Sequence, residues 1–142
     1  MNLAVVLKDK GSNVLTIGGS ESVREAIDRL GEHRIGALVV VDSGAIVGIM
    51  SERDVIYCLR THGSDVLDWP VSRVMTSDVI TADPTTPVLS ALALMTERRI
   101  RHLPVEHNGQ LVGIASIGDL VKHRMEQIEM EAQAMRSYIQ AV

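Results

Sequence analysis

Apolar residues recur along this chain in a pattern that is written twice. Val23, Ala26, Ile27 and Leu30 fall on one face of a 3.6-residue period, and so do Val88, Ala91, Leu92 and Met95. Each set predicts a helix of about 12 residues, entered through Ser20 in one case and Thr85 in the other. A short extended piece precedes each helix (Val14–Ile17, Val79–Thr81), separated from it by Gly, Ser, Thr or Pro. Apolar strands follow at Ala37–Val41 and Leu103–Glu106. Turns at Asp42–Gly44 and His107–Gly109 then place a glycine where positive φ is needed, before second strands at Ala45–Met50 and Gln110–Ala115. New helices begin at Ser51 and Ser116. The order is β-α-β-β-α, twice.

The two halves superpose as text. Residues 14–55 laid over 79–120, without a gap, are identical at 15 of 42 positions, and most mismatches at apolar positions keep their character, as Ile27 with Leu92 does. The repetition divides the chain into residues 1–64, 65–124 and a C-terminal extension, 125–142. Neither repeat is large enough to bury much core alone. The expected fold is therefore α/β (α+β): two repeats packed about a pseudo-twofold axis, plus a C-terminal helix. Residues 62–70 read as the connector, ending at Trp69–Pro70, with Pro70 at the first position of a short helix.

The extension carries a different period. Val121, Met125, Ile128, Ala132, Met135, Ile139 and Val142 alternate spacings of four and three, a heptad seam. Such a seam covers either its own chain's core or the same seam on another chain. Its narrowness favours the second, and Met and Ala make it soft and adaptable.

Composition narrows the function. Eighteen acidic residues against fourteen basic ones give a net charge of −4, the wrong sign for a general phosphate-backbone binder. One Trp, two Tyr and no Phe leave few platforms for stacking single-stranded nucleic acid, and call for an aliphatic core. Cys58 is the single cysteine, so no internal disulfide forms, and it sits in the apolar run VIYCL as a packed thiol. No apolar run approaches a membrane span, and MNLAVVLKDKG is too short in its apolar part for a signal peptide. The expected setting is the reducing cytoplasm. His102, His107 and His123 lack tight ligand spacing, so no metal site is expected, and no GxSxG, P-loop or GxGxxG motif points to catalysis.

The chemistry-bearing feature is a Ser-x-x-Asp step at both strand-to-helix junctions, Ser51/Asp54 and Ser116/Asp119. The spacing is that of a capping box, which stabilises a helix anywhere. Both copies keep it after the same Gly-apolar step, however, and a carboxylate there can accept both hydroxyls of a ribose diol. Helix N-terminal amides nearby favour phosphate. Capping and ligand binding are compatible.

At this point the residues resemble a family. RHLPV (Arg101–Val105) and the junctions GIMSERD (Gly48–Asp54) and GIASIGD (Gly113–Asp119) are similar to the cystathionine-β-synthase (CBS) domain, which occurs in tandem pairs. The resemblance spans roughly residues 5–124 and looks nearest to small stand-alone bacterial CBS-pair proteins. It implies a non-catalytic regulatory module, an energy or metabolite sensor. Such modules bind AMP, ADP, ATP, NAD(H) or S-adenosylmethionine in two clefts between the repeats, and assemble as a disc-like homodimer. Output would then pass to an effector on another chain. Carried over residue by residue, one site takes Ser51 and Asp54 from the first repeat. The second repeat adds Val79, Ile80 and Thr81 around the adenine, Arg101 and His102 toward the phosphates, and Leu103 and Pro104 as further lining. The other site takes Ser116 and Asp119 with Leu15, Thr16 and Ile17 as adenine wall. Here Gly36 and Ala37 stand where Arg101 and His102 stand in the other repeat, so no cation remains at those positions. That site binds adenosine without relying on phosphate, accommodates a dinucleotide, or is empty. Arg34 and Arg53 are candidate replacement cations, each also readable as an exposed helical residue.

Overall fold

The computed structural model describes residues 1–11 and 13–141. The first repeat contains β1 (Thr16–Gly18), α2 (Val23–His33), β2 (Ala37–Asp42), β3 (Ala45–Ser51) and α3 (Glu52–His62). A 3₁₀ turn (Gly63–Asp68) and the one-turn helix α4 (Val71–Val74) follow. The second repeat contains α5 (Val88–Arg98), β4 (His102–His107), β5 (Gln110–Ser116) and α6 (Ile117–Ala141). Ahead of them all lies α1 (Leu3–Lys10).

In the first sheet β1 pairs parallel to β2, and β2 antiparallel to β3; in the second, β4 pairs antiparallel to β5. The hairpin turns place Ser43–Gly44 and Asn108–Gly109 at positive φ, as two-residue loops matched to the strand twist require. Both hairpins shift register at equivalent places, Val40/Val41 and Val105/Glu106, so the duplication extends to backbone irregularities.

Several expectations are corrected. The helices are entered through Ser22 and Pro87, two residues later than Ser20 and Thr85: the Ser22 hydroxyl accepts from the Glu25 amide, whereas Pro87 makes no side-chain cap. Val79–Thr81 is not a strand. The equivalent of β1 shrinks to one parallel bridge, Ala82 to Val105; in β4, Pro104 stands where β2 has Val39 and has no amide hydrogen to extend the ladder. Pro70 caps α4 from outside instead of occupying its first turn.

The element missed in the sequence is α1. Leu3, Val6 and Leu7 are buried in the second core with Leu103, Val105, Met95 and Leu120. They take the place that Val71, Val74 and Met75 hold against the first core. Backbone hydrogen bonds prove the equivalence. Leu3 donates to Thr86 O and Ala4 to Pro84 O, just as Val71 donates to Glu21 O and Ser72 to Gly19 O. Val88 donates to Met1 O as Val23 donates to Trp69 O. Each core is thus closed by the helix that precedes the other repeat, α1 packing on the second core and α4 turning back onto the first, and residues 66–74 pack with the first core although the sequence pattern divides at 64/65. Gly48 and Gly113 permit this closure: a Cβ on Gly48 would stand 2.4 Å from Met75 Sδ, and one on Gly113 2.6 Å from a Leu7 methyl.

The heptad seam of α6 lies outside both cores. Val121, Met125, Ile128, Met135 and Ile139 are exposed, Met125 at 65%, while Leu120 and His123 turn inward. The intrachain role for the seam is therefore excluded for these residues; Val142 lies outside the described residues.

Candidate functional site

Two clefts are assembled at the pseudo-twofold interface, each from both repeats. The first is lined by Ile49, Ser51, Arg53, Asp54 and Thr76 on one side, and by Arg99, Ile100, Arg101 and His102 on the other. A small adjoining recess shares Ile49, Thr76, Ile100 and His102 and adds Asp78, Val79, Ile80 and Pro104. The second cleft is lined by Lys10, Asn13, Leu15, Arg34, Ile35, Gly36, Ala37, His102, Ile114 and Ser116.

Local structure explains how these side chains converge. Each α2/α5 helix ends on an arginine in the left-handed region, Arg34 at φ 52° and Arg99 at φ 55°. The following Ile35 and Ile100 amides then bond back to Leu30 O and Met95 O, a wrapped C-cap that swings the chain into β2 or β4. Residues 34–37 and 99–102 are thereby set along the cleft edge. Gly36 O accepts from the Glu52 amide and Arg101 O from the Ile117 amide, which ties each edge to the Ser-x-x-Asp junction of its own repeat.

Both junctions are capping boxes. The Ser51 amide donates to Asp54 Oδ2 at 2.8 Å and the Asp54 amide to Ser51 Oγ at 3.3 Å; for Ser116 and Asp119 the distances are 2.9 and 3.1 Å. What approaches the two carboxylates differs. Thr76 donates its hydroxyl to Asp54 Oδ1 at 3.2 Å, whereas the Lys10 ammonium lies 2.6 Å from Asp119 Oδ2 and 2.9 Å from Ile114 O. Burial pushes the Asp119 carboxyl up, but the Lys10 ammonium and the Ser116 donors outweigh it and hold the group below its usual range.

His102 stands between the clefts and lines both. Its ring occupies the space left by Gly36, where a Cβ would come within 2.9 Å of two ring atoms. Burial lowers its tendency to protonate, and the charges of Arg101 and Lys10 act in the same direction. Arg101 is partly engaged by Glu52 at 3.4 Å, an exposed pair of small energetic weight.

Of the residues singled out in the sequence, Ser51, Asp54, Arg101 and His102 meet in the first cleft, and Val79, Ile80 and Pro104 in its adjoining recess. Leu15, Gly36, Ala37 and Ser116 meet in the second, with Asp119 joined to it through Lys10. Ile17 and Leu103 point into the cores, so only their backbone is available to a ligand. Thr16 and Thr81 line neither cleft. Arg34 lines the second cleft as envisaged, but Arg53 lines the first. Arg99 and Lys10 were missed. Arg99 was visible as the identical partner of Arg34, while Lys10 precedes the repeat alignment and had no signal. Among the described residues no cluster of three or more His, Cys, Asp or Glu is placed to hold a metal, and no helix is long and apolar enough to cross a membrane.

Two repeats of one α/β unit, with clefts built across their interface, define a tandem domain pair. The chain belongs to the CBS domain family, whose pattern it matches over residues 8–61 and 71–126. It is 36% identical over 144 residues to the mitochondrial CBS domain-containing protein CBSX3 of Arabidopsis thaliana, covering 95% of this chain and 70% of that protein. It is 32% identical over 114 residues to the CBS domain-containing protein YhcV of Bacillus subtilis, covering 80% and 81%. A crystal structure of a CBS-domain containing protein from Agrobacterium tumefaciens superposes with a TM-score of 0.84 at 40% identity, over 87% of this chain and 99% of that one. The CBS domain pair of protein MJ0100, solved in complex with 5′-methylthioadenosine and S-adenosyl-L-methionine, superposes with a TM-score of 0.80 at 26% identity, over 89% and 98%.

Proposed function

We propose that this chain is a non-catalytic regulatory module that binds adenosine-containing ligands, AMP, ADP, ATP or NAD, in the two clefts between its repeats. The observation that carries the reading is the composite first cleft: a fixed carboxylate from one repeat, flanked by Arg53, faces Arg99, Arg101 and His102 from the other, with aliphatic walls between them. Asp54 offers a ribose its acceptor oxygens, and the guanidinium groups of Arg99 and Arg101 offer phosphate paired donors. Ile49, Ile100, Val79, Ile80 and Pro104 provide an apolar slot for adenine without aromatic stacking. The adenosine ligands of the MJ0100 pair support the ligand class. Ligands that touch both repeats favour the relative orientation that completes their cleft, as far as their differential affinity allows. A homodimer through the exposed α6 seam, and an effector on another chain, complete the proposal, and the lone thiol fits a reducing cytoplasm.

Calorimetric titration with AMP, ADP, ATP, NAD and S-adenosylmethionine tests it. Micromolar binding of at least one is expected, with Asp54→Ala and Arg101→Ala each weakening the first site by about tenfold or more. Heat-silent titrations with every ligand, checked by an unchanged melting temperature, would sink the reading. The exposed seam of α6 favours a second reading, a dimerisation module with vestigial clefts. Ligand indifference together with loss of the dimer on removing residues 125–142 would select it.

A further inference from the structure

We infer that Lys10 is the phosphate-reading residue of the second cleft, and that it holds Asp119 closed until a nucleoside 5′-phosphate draws it away. The inference rests on the adenosine-binding reading and assigns a ligand class to the cleft in which Gly36 and Ala37 stand where the first has Arg101 and His102.

The observation is an asymmetry between two otherwise duplicated sites. In the first cleft the junction carboxylate is approached by a neutral hydroxyl, Thr76 Oγ1 at 3.2 Å. In the second it is approached by an ammonium at 2.6 Å, which also donates to the Ile114 carbonyl. A ribose that enters the first cleft exchanges one neutral hydrogen bond for others. A ribose that enters the second must separate an ion pair whose two side chains are only 35% and 28% exposed. A neutral nucleoside offers the displaced ammonium nothing in return. A 5′-phosphate does, since Lys10 lines the same cleft on a long flexible stem that can turn from carboxylate to phosphate. Arg34 lines the cleft too and adds to the positive field.

The position of Lys10 is fixed at its root. It is the last residue of α1, whose Leu3, Val6 and Leu7 are locked into the second core. The cation that Gly36 and Ala37 do not supply is thus delivered from the other end of the repeat.

Backbone amide shifts of the ¹⁵N-labelled full chain give each cleft its own reporter: Ser116 and Asp119 for the second, Ser51 and Asp54 for the first. AMP and adenosine are titrated into the wild type, Lys10→Met and Lys10→Arg. In the wild type, Ser116 and Asp119 should report AMP binding about tenfold or more tighter than adenosine. Lys10→Met should weaken AMP at the second cleft by about tenfold, strengthen adenosine there, and leave the first cleft within about twofold. Lys10→Arg should retain the preference for AMP. An unchanged AMP-to-adenosine ratio at Ser116 and Asp119 in Lys10→Met overturns the assignment while both clefts still bind. A wild type in which no amide responds to either ligand overturns the parent reading and this inference together. If Lys10→Met melts too early to titrate, Lys10→Gln is judged by the same ratio.

Discussion

Single atoms decide much in this molecule because duplicated positions carry unequal side chains. His102 fills the space that Gly36 leaves, so Gly36→Ala should push the ring out of place and disturb both clefts at once. The same ring gives a pH dependence. Its folded value lies below its ordinary one, chiefly through burial, so the unfolded chain takes up the proton first as pH falls. Stability from this group is fully present above about pH 6.5 and is lost as pH drops from there through the folded value. Arg101, Lys10, Glu52 and Asp119 all act on the ring, the two cations opposing protonation and the two carboxylates favouring it. Thermal melts between about pH 7.5 and pH 5 should fall less steeply for His102→Gln than for the wild type. Equal slopes would show that His102 is not the group titrating. Gly113 is decisive in another way: Gly113→Ala meets Leu7 and should cost about 1–3 kcal/mol in urea unfolding.

At the scale of elements, α1 and α6 depart from the duplicated pattern in opposite directions. α1 is only eight residues long, yet Leu3 at its start is wholly buried. Leu3→Ala should therefore destabilise the chain by about 2–5 kcal/mol, as a core truncation does. An effect below about 0.5 kcal/mol would mean that α1 is not part of the core in solution. α6 runs on for 25 residues and presents Met125, Ile128, Met135 and Ile139 to solvent. For the homodimer proposed above, removal of residues 125–142 should yield a monomer in sedimentation velocity without changing either core. A truncated chain that sediments as the full one does would remove the seam from the interface.

For the whole molecule, the proposed function links ligand binding to folding through the composite clefts. A ligand that bridges both repeats and ignores the unfolded chain stabilises by about 2.7 kcal/mol at a hundred times its dissociation constant. The melting temperature should rise accordingly with AMP or ATP, and rise less for Asp54→Ala. Equal shifts in both proteins would place the ligand elsewhere. The two cores are distinct, with the clefts between the repeats that carry them.

How far the sequence reached follows from the range of the forces involved. The repeat order, the hairpins and the two capping boxes were legible because each rests on a local period or on a motif present twice, whereas the meeting of Asp54 with Arg101 was expected only through the family resemblance. The heptad seam was legible too, but not its exposure. α1, the Lys10–Asp119 pair and the sharing of His102 by both clefts were beyond reach. Each joins residues far apart in the chain, Lys10 to Asp119 across 109 positions, and no propensity or spacing encodes such a meeting. The sequence by itself determined which units form and which chemistry they carry, through hydrophobic period and capping. Only the tertiary structure decided which helix closes which core and which cation reaches which carboxylate, because those depend on where packing brings distant segments together.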